Sequence, residues 1–148
     1  MSWADIKYGL DHLLTPPETA IRHAISSLEQ STAPQSEEVQ LAGLSNADSV
    51  IDFVSALSAR EVSKDESIMR DKWLFLVLAW LFENKEGLPD PLAVVEAVYS
   101  DFNYPHSMSS FVGYMPMQGS DLGSPEKNKA RLLKYWEDYL GASTERFR

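Results

Sequence analysis

The stretch from Trp73 to Phe82 reads WLFLVLAWLF, and it decides the fold class. Its ten consecutive apolar residues are about half of what a helix needs to cross a bilayer, and the charged residues 70–72 precede it directly. A helix that is apolar on every side normally occupies the centre of a bundle. The stretch therefore predicts a buried central helix with four aromatic residues in the core, namely Trp73, Phe75, Trp80 and Phe82.

Helix signals surround this central helix on both sides. Thr15-Pro16-Pro17-Glu18 has the pattern of a helix start that Thr15 caps, Asp90-Pro91 predicts a second start, and Gly141 predicts the end of the last helix. Apolar residues recur at helical spacing between these signals, and no stretch alternates with a period of two. We therefore predict an all-α fold. Residues 1–148 are expected to form a single globular domain, a bundle of about six or seven helices around the Trp-rich helix.

Two segments are expected to lie outside the helices. Residues 103–123 are rich in Pro, Gly, Ser and Met and contain three aromatic residues. Because aromatic side chains at this density seldom stay solvated, we expect an ordered loop there. Residues 142–148 follow the predicted end of the last helix and are expected to form a mobile tail.

Composition and charge exclude several classes of function. The chain has 148 residues, a net charge of −9 and no cysteine. An acidic protein repels nucleic-acid phosphates, and a chain without cysteine has no disulfides and no thiol nucleophile. The sequence lacks the pattern of a signal peptide or a membrane span, so we expect a cytoplasmic protein with no membrane partner. The charge is uneven, because residues 1–123 carry −11 and residues 124–148 carry +2.

Signals for catalysis are weak. The sequence contains no nucleophile elbow, no phosphate-binding loop and no dinucleotide fingerprint. His12 and His23 lie on the first two predicted helices, where they could approach each other with Asp5 or Glu18 nearby, but surface or capping histidines are the more common case. Carboxylates one turn apart, such as Asp48 and Asp52, are more typical of a solvated helix face. We therefore predict no catalytic residue, no metal and no cofactor.

Several motifs resemble an uncharacterised family of small bacterial proteins that is known as a domain of unknown function. The matching motifs are the opening Trp3-x-Asp5-Ile6, the Trp-rich helix, Asp90-Pro91, Tyr99-x-Asp101-Phe102-x-Tyr104-Pro105 and Tyr114-Met115-Pro116. The resemblance implies a small helical protein, and families of this kind are thought to include immunity proteins that neutralise secreted bacterial toxins. It implies no catalytic residues.

The function that we predict is that of a non-catalytic binding module of the immunity type. Its partner is expected to be a protein, such as a basic toxin domain that the acidic body attracts electrostatically. Two alternatives stay open: a structural or adaptor subunit that self-associates through its basic last helix, and a metal-dependent hydrolase that uses carboxylates or histidines. The sequence leaves the oligomeric state open. The predicted partner-binding residues are Asp48, Asp52, Asp101, Tyr104, His106 and Tyr114.

Overall fold

The fold is that of an all-α protein. A computed structural model describes residues 1–31, 35–44, 50–62, 65–113 and 121–147, with the side chain of Ser36 left out. Within these ranges the chain forms seven α-helices and two short 3₁₀ helices and contains no strand. The prediction of an all-α bundle is confirmed. The α-helices are α1 Trp3–Asp11, α2 Glu18–Gln30, α3 Ser36–Ala42, α4 Val50–Ala59, α5 Glu66–Glu83, α6 Pro91–Asp101 and α7 Pro125–Arg146, and the 3₁₀ helices are Lys85–Gly87 and His106–Phe111.

The chain divides into two compact units, and the boundary falls inside α5. The N-terminal unit is Met1–Trp73 and the C-terminal unit is Leu74–Arg148. The single domain expected from the sequence stays a prediction. Each unit is described by itself below.

The N-terminal unit is built on the packing of α1 against α4, α2 against α3, and α3 against α4. The spacing of Val50, Val54 and Leu57 places one face of α4 in this core. Ala20 and Ala24 are fully buried and lie one turn apart on α2, which allows close approach of a neighbouring helix because neither side chain extends beyond Cβ. The buried core of this unit contains Trp3, Ile6, Ala20, Ala24, Leu41, Val50, Val54 and Leu57.

The start of α1 is held by two sets of hydrogen bonds. Ser2 and Asp5 form a capping box, in which the Ser2 hydroxyl accepts from the Asp5 N–H at 3.1 Å and the Asp5 carboxylate accepts from the Ser2 N–H at 3.0 Å. Glu61 accepts from the next two amides, those of Trp3 at 3.1 Å and Ala4 at 2.7 Å. These bonds satisfy amides that a helix start leaves unpaired. The opening motif of the sequence is therefore structural.

The C-terminal unit contains an aromatic cluster around Trp136, which is fully buried on α7. Phe82 meets its ring edge to face at 5.1 Å, and Phe111 stacks at 6.4 Å between ring centroids. Phe111 also contacts Tyr139, one turn further along α7, at 5.4 Å. The 3₁₀ helix His106–Phe111 packs on α7, so this part of the predicted loop is ordered helix.

The prediction of a core position for Trp80 is wrong. Trp80 is 60% exposed, whereas Trp73 is buried and Phe75 and Phe82 are half-buried. A helix that is apolar all round has no polar face to mark its solvent side. Periodicity therefore could not show which of its aromatic residues faces water.

Two helix ends also differ from the prediction. Thr15 does not cap α2, because its hydroxyl lies 2.6 Å from the Thr19 hydroxyl and the helix begins only at Glu18. Gly141 does not end α7, which continues to Arg146 through the first part of the expected tail. Phe147, just beyond it, stacks on Phe75 at 5.9 Å. Glycine lowers helix stability by about 1 kcal/mol, and packing of the turns that follow readily offsets so small a term.

Candidate functional site

The end of α1 carries a leucine where helices normally place glycine. The Leu14 N–H donates to the Gly9 carbonyl at 2.8 Å, and the Leu13 N–H donates to the Leu10 carbonyl at 3.2 Å. These are the two hydrogen bonds of a Schellman motif, with Leu13 at its left-handed position. The φ of Leu13 is +57°. For a residue with a Cβ, that conformation costs about 1–2 kcal/mol.

Burial of the Leu13 side chain does not offset this strain. Leu13 is 91% exposed, the largest value among the exposed large apolar residues of the described chain. The backbone turn alone would be equally well formed by glycine, which adopts positive φ without steric cost. A bulky residue that is both exposed and strained indicates a role other than stabilising the fold.

Leu13 also lines a shallow groove, which we call the Leu13 groove. It has a volume of about 270 Å³, close to the lower limit of small-molecule pockets and suited to one or two side chains. Aliphatic groups and Pro17 form most of its walls, and Ile51 at one side is 41% exposed. The residues that line it are Leu10, Asp11, Leu13, Thr15, Pro17, Val50 and Ile51.

The charge around this groove is negative. The segments 10–18 and 50–59, which supply its walls, contain Asp11, Glu18 and Asp52 and no Lys or Arg. All three carboxylates are exposed. Asp11 accepts from Lys7 at 2.7 Å, an i,i+4 pair in which both side chains are about 40% exposed, and such pairs stabilise a helix only weakly.

The end of α6 forms a second Schellman motif, in the C-terminal unit. The Tyr104 N–H donates to the Tyr99 carbonyl at 2.8 Å, and the Asn103 N–H donates to the Ser100 carbonyl at 3.1 Å. Asn103 and Tyr104 both have positive φ, +60° and +56°. The Tyr104 ring packs edge to face on Tyr99 at 5.3 Å, the apolar contact that often accompanies this motif, and Tyr104 remains 58% exposed.

This second turn brings together three of the predicted partner-binding residues. Asp101, Tyr104 and His106 all have exposed side chains within six residues of the chain. Asp52 is exposed in the first turn of α4, next to the groove residue Ile51. Asp48 and Tyr114 lie outside the described residues.

Sequence reasoning missed Leu13. The signal that could have identified it is the segment between α1 and Pro16, which reads Asp11-His12-Leu13-Leu14-Thr15 and contains no glycine or asparagine. Helices commonly end on a residue at positive φ, and where neither glycine nor asparagine is present another residue has to take that position.

The two histidines on the first two helices, His12 and His23, have separate aromatic partners. His12 stacks on Tyr8 at 4.1 Å, and His23 meets Trp3 edge to face at 4.8 Å. Among the residues that the structure describes, no group of three or more His, Asp and Glu is placed to hold a metal ion. Asp65, one of the acids at the start of α5, accepts from the Ser67 N–H at 2.9 Å, which is a capping role.

His23 should make the stability of the N-terminal unit sensitive to mild acid. Burial lowers the pKa of His23 below its ordinary 6.5, the N-terminal ammonium lowers it further, and Glu38 and Glu61 oppose both. The neutral form is therefore favoured in the folded chain. Its contribution is fully present above pH 6.5 and is lost as pH falls through the lower folded pKa. We expect the urea midpoint to fall between pH 7 and pH 5.

The matched variant for this pH effect is His23→Gln, which removes the titrating group, and it should flatten that part of the profile. His106→Gln, at an exposed histidine, controls for the loss of a histidine as such. An unchanged pH profile in the His23→Gln variant would contradict the prediction.

Comparison with known protein families identifies the family to which the chain belongs. A family described as uncharacterised proteins conserved in bacteria, DUF2247, matches residues 1–144. The chain belongs to this family. DUF2247 thus covers both units and both Schellman turns, and its description names no activity. No curated protein and no solved structure shows significant similarity to the chain. Among the described residues, no helix combines the length and apolar character that a membrane span requires.

Proposed function

We propose that this member of DUF2247 is a non-catalytic binding module that captures a basic protein domain. The observation that carries the proposal is Leu13, an exposed leucine that the chain holds in a strained conformation beside an open apolar groove. Strain of this kind persists where it serves a function. Apolar side chains displayed on a rigid turn are a common means of protein recognition.

The charge of the N-terminal unit supports a basic partner. Residues 1–73 contain 12 acidic and 6 basic residues, a net charge of −6, whereas residues 74–148 contain 10 and 7, a net charge of −3. A field of this sign attracts a basic domain and raises its association rate, most strongly at low salt. Asp11 lines the groove and pairs with Lys7, and Asp52 is exposed next to the groove residue Ile51 in the sequence.

The finer proposal is that the partner is a bacterial toxin domain and that binding neutralises it. This proposal rests on the resemblance drawn from the sequence and on the acidic surface, which suits the basic surface of a nuclease-type toxin. Neutralisation requires a stable complementary surface and no catalytic group. The exposed turn at Asp101, Tyr104 and His106 offers a second contact surface on the C-terminal unit.

The test is capture of the partner from the bacterium that encodes the chain, followed by co-expression. We expect the tagged chain to retain one stoichiometric basic protein at low salt, and co-expression to restore growth to cells that produce it. Asp52→Lys should reduce the association rate about tenfold at low salt and much less at high salt. Glu137→Lys, the same charge change at an exposed position on α7, is the matched control.

Two results would contradict the proposed function. One is that the purified partner is acidic and binds without dependence on salt. The other is that Asp52→Lys and Glu137→Lys have equal effects, because the acidic surface of the N-terminal unit would then have no special part in recognition.

A further inference from the structure

We propose that the Leu13 groove receives an apolar side chain from a basic segment of the partner, while Leu13 itself enters an apolar recess on that segment. This inference rests on the proposed function and names the surface and the chemistry of the partner that it fits. The surface consists of the seven residues that line the groove. It lies wholly in the N-terminal unit.

Leu13 is held in the fold through its backbone and not through its side chain. Its backbone is fixed by two hydrogen bonds that do not involve the side chain, those of Leu13 and Leu14 with the carbonyls of Leu10 and Gly9. Its side chain is 91% exposed. Glycine would retain both hydrogen bonds and remove the strain. The folded chain alone therefore does not account for a leucine here, whereas contact with a partner does.

The Leu13 groove is small and mostly apolar. Its volume of about 270 Å³ accommodates one large apolar side chain or two small ones. The rim is formed by a projecting residue, Leu13, and by Ile51, which is 41% exposed. A complementary partner would have an apolar side chain that fills the groove and a recess that receives Leu13. Binding would then remove both apolar groups from water.

The charge around the Leu13 groove favours some binding partners over others. The wall segments contain three exposed carboxylates and no Lys or Arg. Asp11 lines the groove and is paired with Lys7, whereas Glu18 and Asp52 are neighbours of the lining residues Pro17 and Ile51 in the sequence. A second copy of the chain that docked through the same groove would bring the same three carboxylates against them, and like charges in an interface are unfavourable. A segment with Lys or Arg on either side of its apolar residue complements the groove. The charge therefore favours a basic, apolar segment of another protein.

The experiment uses defined peptides as probes. The full chain, labelled at Ile, Leu and Val methyl groups, is titrated with a peptide of sequence Lys-Lys-Trp-Leu-Lys-Lys and followed by NMR. We expect saturable shifts of the Leu10, Leu13, Val50 and Ile51 methyl signals. A Glu-flanked peptide with the same apolar centre, and a Lys-flanked peptide with a Ser-Gly centre, should each bind at least about tenfold more weakly.

The variant that decides the matter is Leu13→Gly. We expect it to fold with an unchanged or higher Tm and to bind the Lys-flanked peptide about tenfold more weakly. Leu13→Asn should weaken binding equally, because asparagine also tolerates positive φ but lacks the leucine side chain. Asparagine does not add the backbone freedom that glycine adds. Equal weakening would therefore show that the lost side chain, and not a more flexible backbone, lowers the affinity. Val62→Ala, at an aliphatic residue that is 88% exposed, is the control and should leave binding unchanged.

Several outcomes would overturn the inference. They are the absence of saturable shifts at the groove methyl groups, equal binding of the Glu-flanked peptide, and unchanged binding by Leu13→Gly. A dimer that Leu13→Gly dissociates would overturn it in favour of a second copy. If the captured basic partner binds Leu13→Gly as tightly as the natural chain, the inference fails and the proposed function stands. If no basic partner is captured, the proposed function fails, and the peptide titration still reports on the groove.

Discussion

Replacing Gly9 with alanine is expected to destabilise the N-terminal unit by about 2–3 kcal/mol. An alanine Cβ at this position would overlap Cζ2 of Trp73 and would lie 2.8 Å from two further atoms of the same ring. Trp73 is 6% exposed, and its indole Nε1 donates to the Asp5 carbonyl at 2.8 Å. The ring therefore has no free space to move into, and any shift also weakens that hydrogen bond.

The measurement is urea-induced unfolding followed by circular dichroism, with Gly141→Ala as the matched control. Gly141 also lies within a helix, but a Cβ there meets no atom within 4 Å. Alanine is the better helix former, so this control should stabilise the chain by up to about 1 kcal/mol. Equal effects of the two substitutions would show that the contact between Gly9 and Trp73 is not what requires glycine in α1.

The contrast between these glycines shows how far the sequence predicts the fold. Asp90 caps α6 as predicted, because a capping residue and the proline that follows act locally and are visible as a pattern. Gly9 and Gly141 both lie within helices, and what separates them is a ring that is distant along the chain from Gly9. The burial of Trp73 and the exposure of Trp80 depend on the same long-range packing.

The candidate site shows a similar division. The end of α6 near residue 102 was predictable, since the polar, Pro- and Gly-rich segment that follows an amphipathic helix favours a loop, whereas a binding role for Asp101, Tyr104 and His106 stays a prediction. The Leu13 groove was not predictable, because its walls come from three separate segments, at the end of α1, before α2 and at the start of α4. Leu13 also resembles the core leucines around it until the backbone conformation is known.

Replacing Lys72 with methionine is expected to destabilise the chain by about 3 kcal/mol, because it removes the Lys72 ammonium from a buried carboxylate. Lys72 donates to Asp5 at 3.1 Å, and the Asp5 side chain is only 2% exposed. Burial alone would raise the pKa of Asp5, but hydrogen bonds from Ser2 and Lys72 and the charge of Lys72 hold it below its ordinary 3.8. Asp5→Asn should have a smaller effect, about 1–2 kcal/mol, since Lys72 is 29% exposed and still reaches water.

The pH dependence and the double variant make this prediction specific to the ion pair. Because the folded pKa of Asp5 is lowered, its charge contributes stability fully above pH 3.8, and that contribution is lost as pH falls through the folded pKa. The difference between the natural chain and Lys72→Met should therefore shrink in acid. Adding Asp5→Asn to Lys72→Met should restore part of the lost stability, because the buried carboxylate that lost Lys72 no longer carries a charge. Additive losses in the double variant would mean that Asp5 acts only as the cap of α1 and that Lys72 contributes through its own packing.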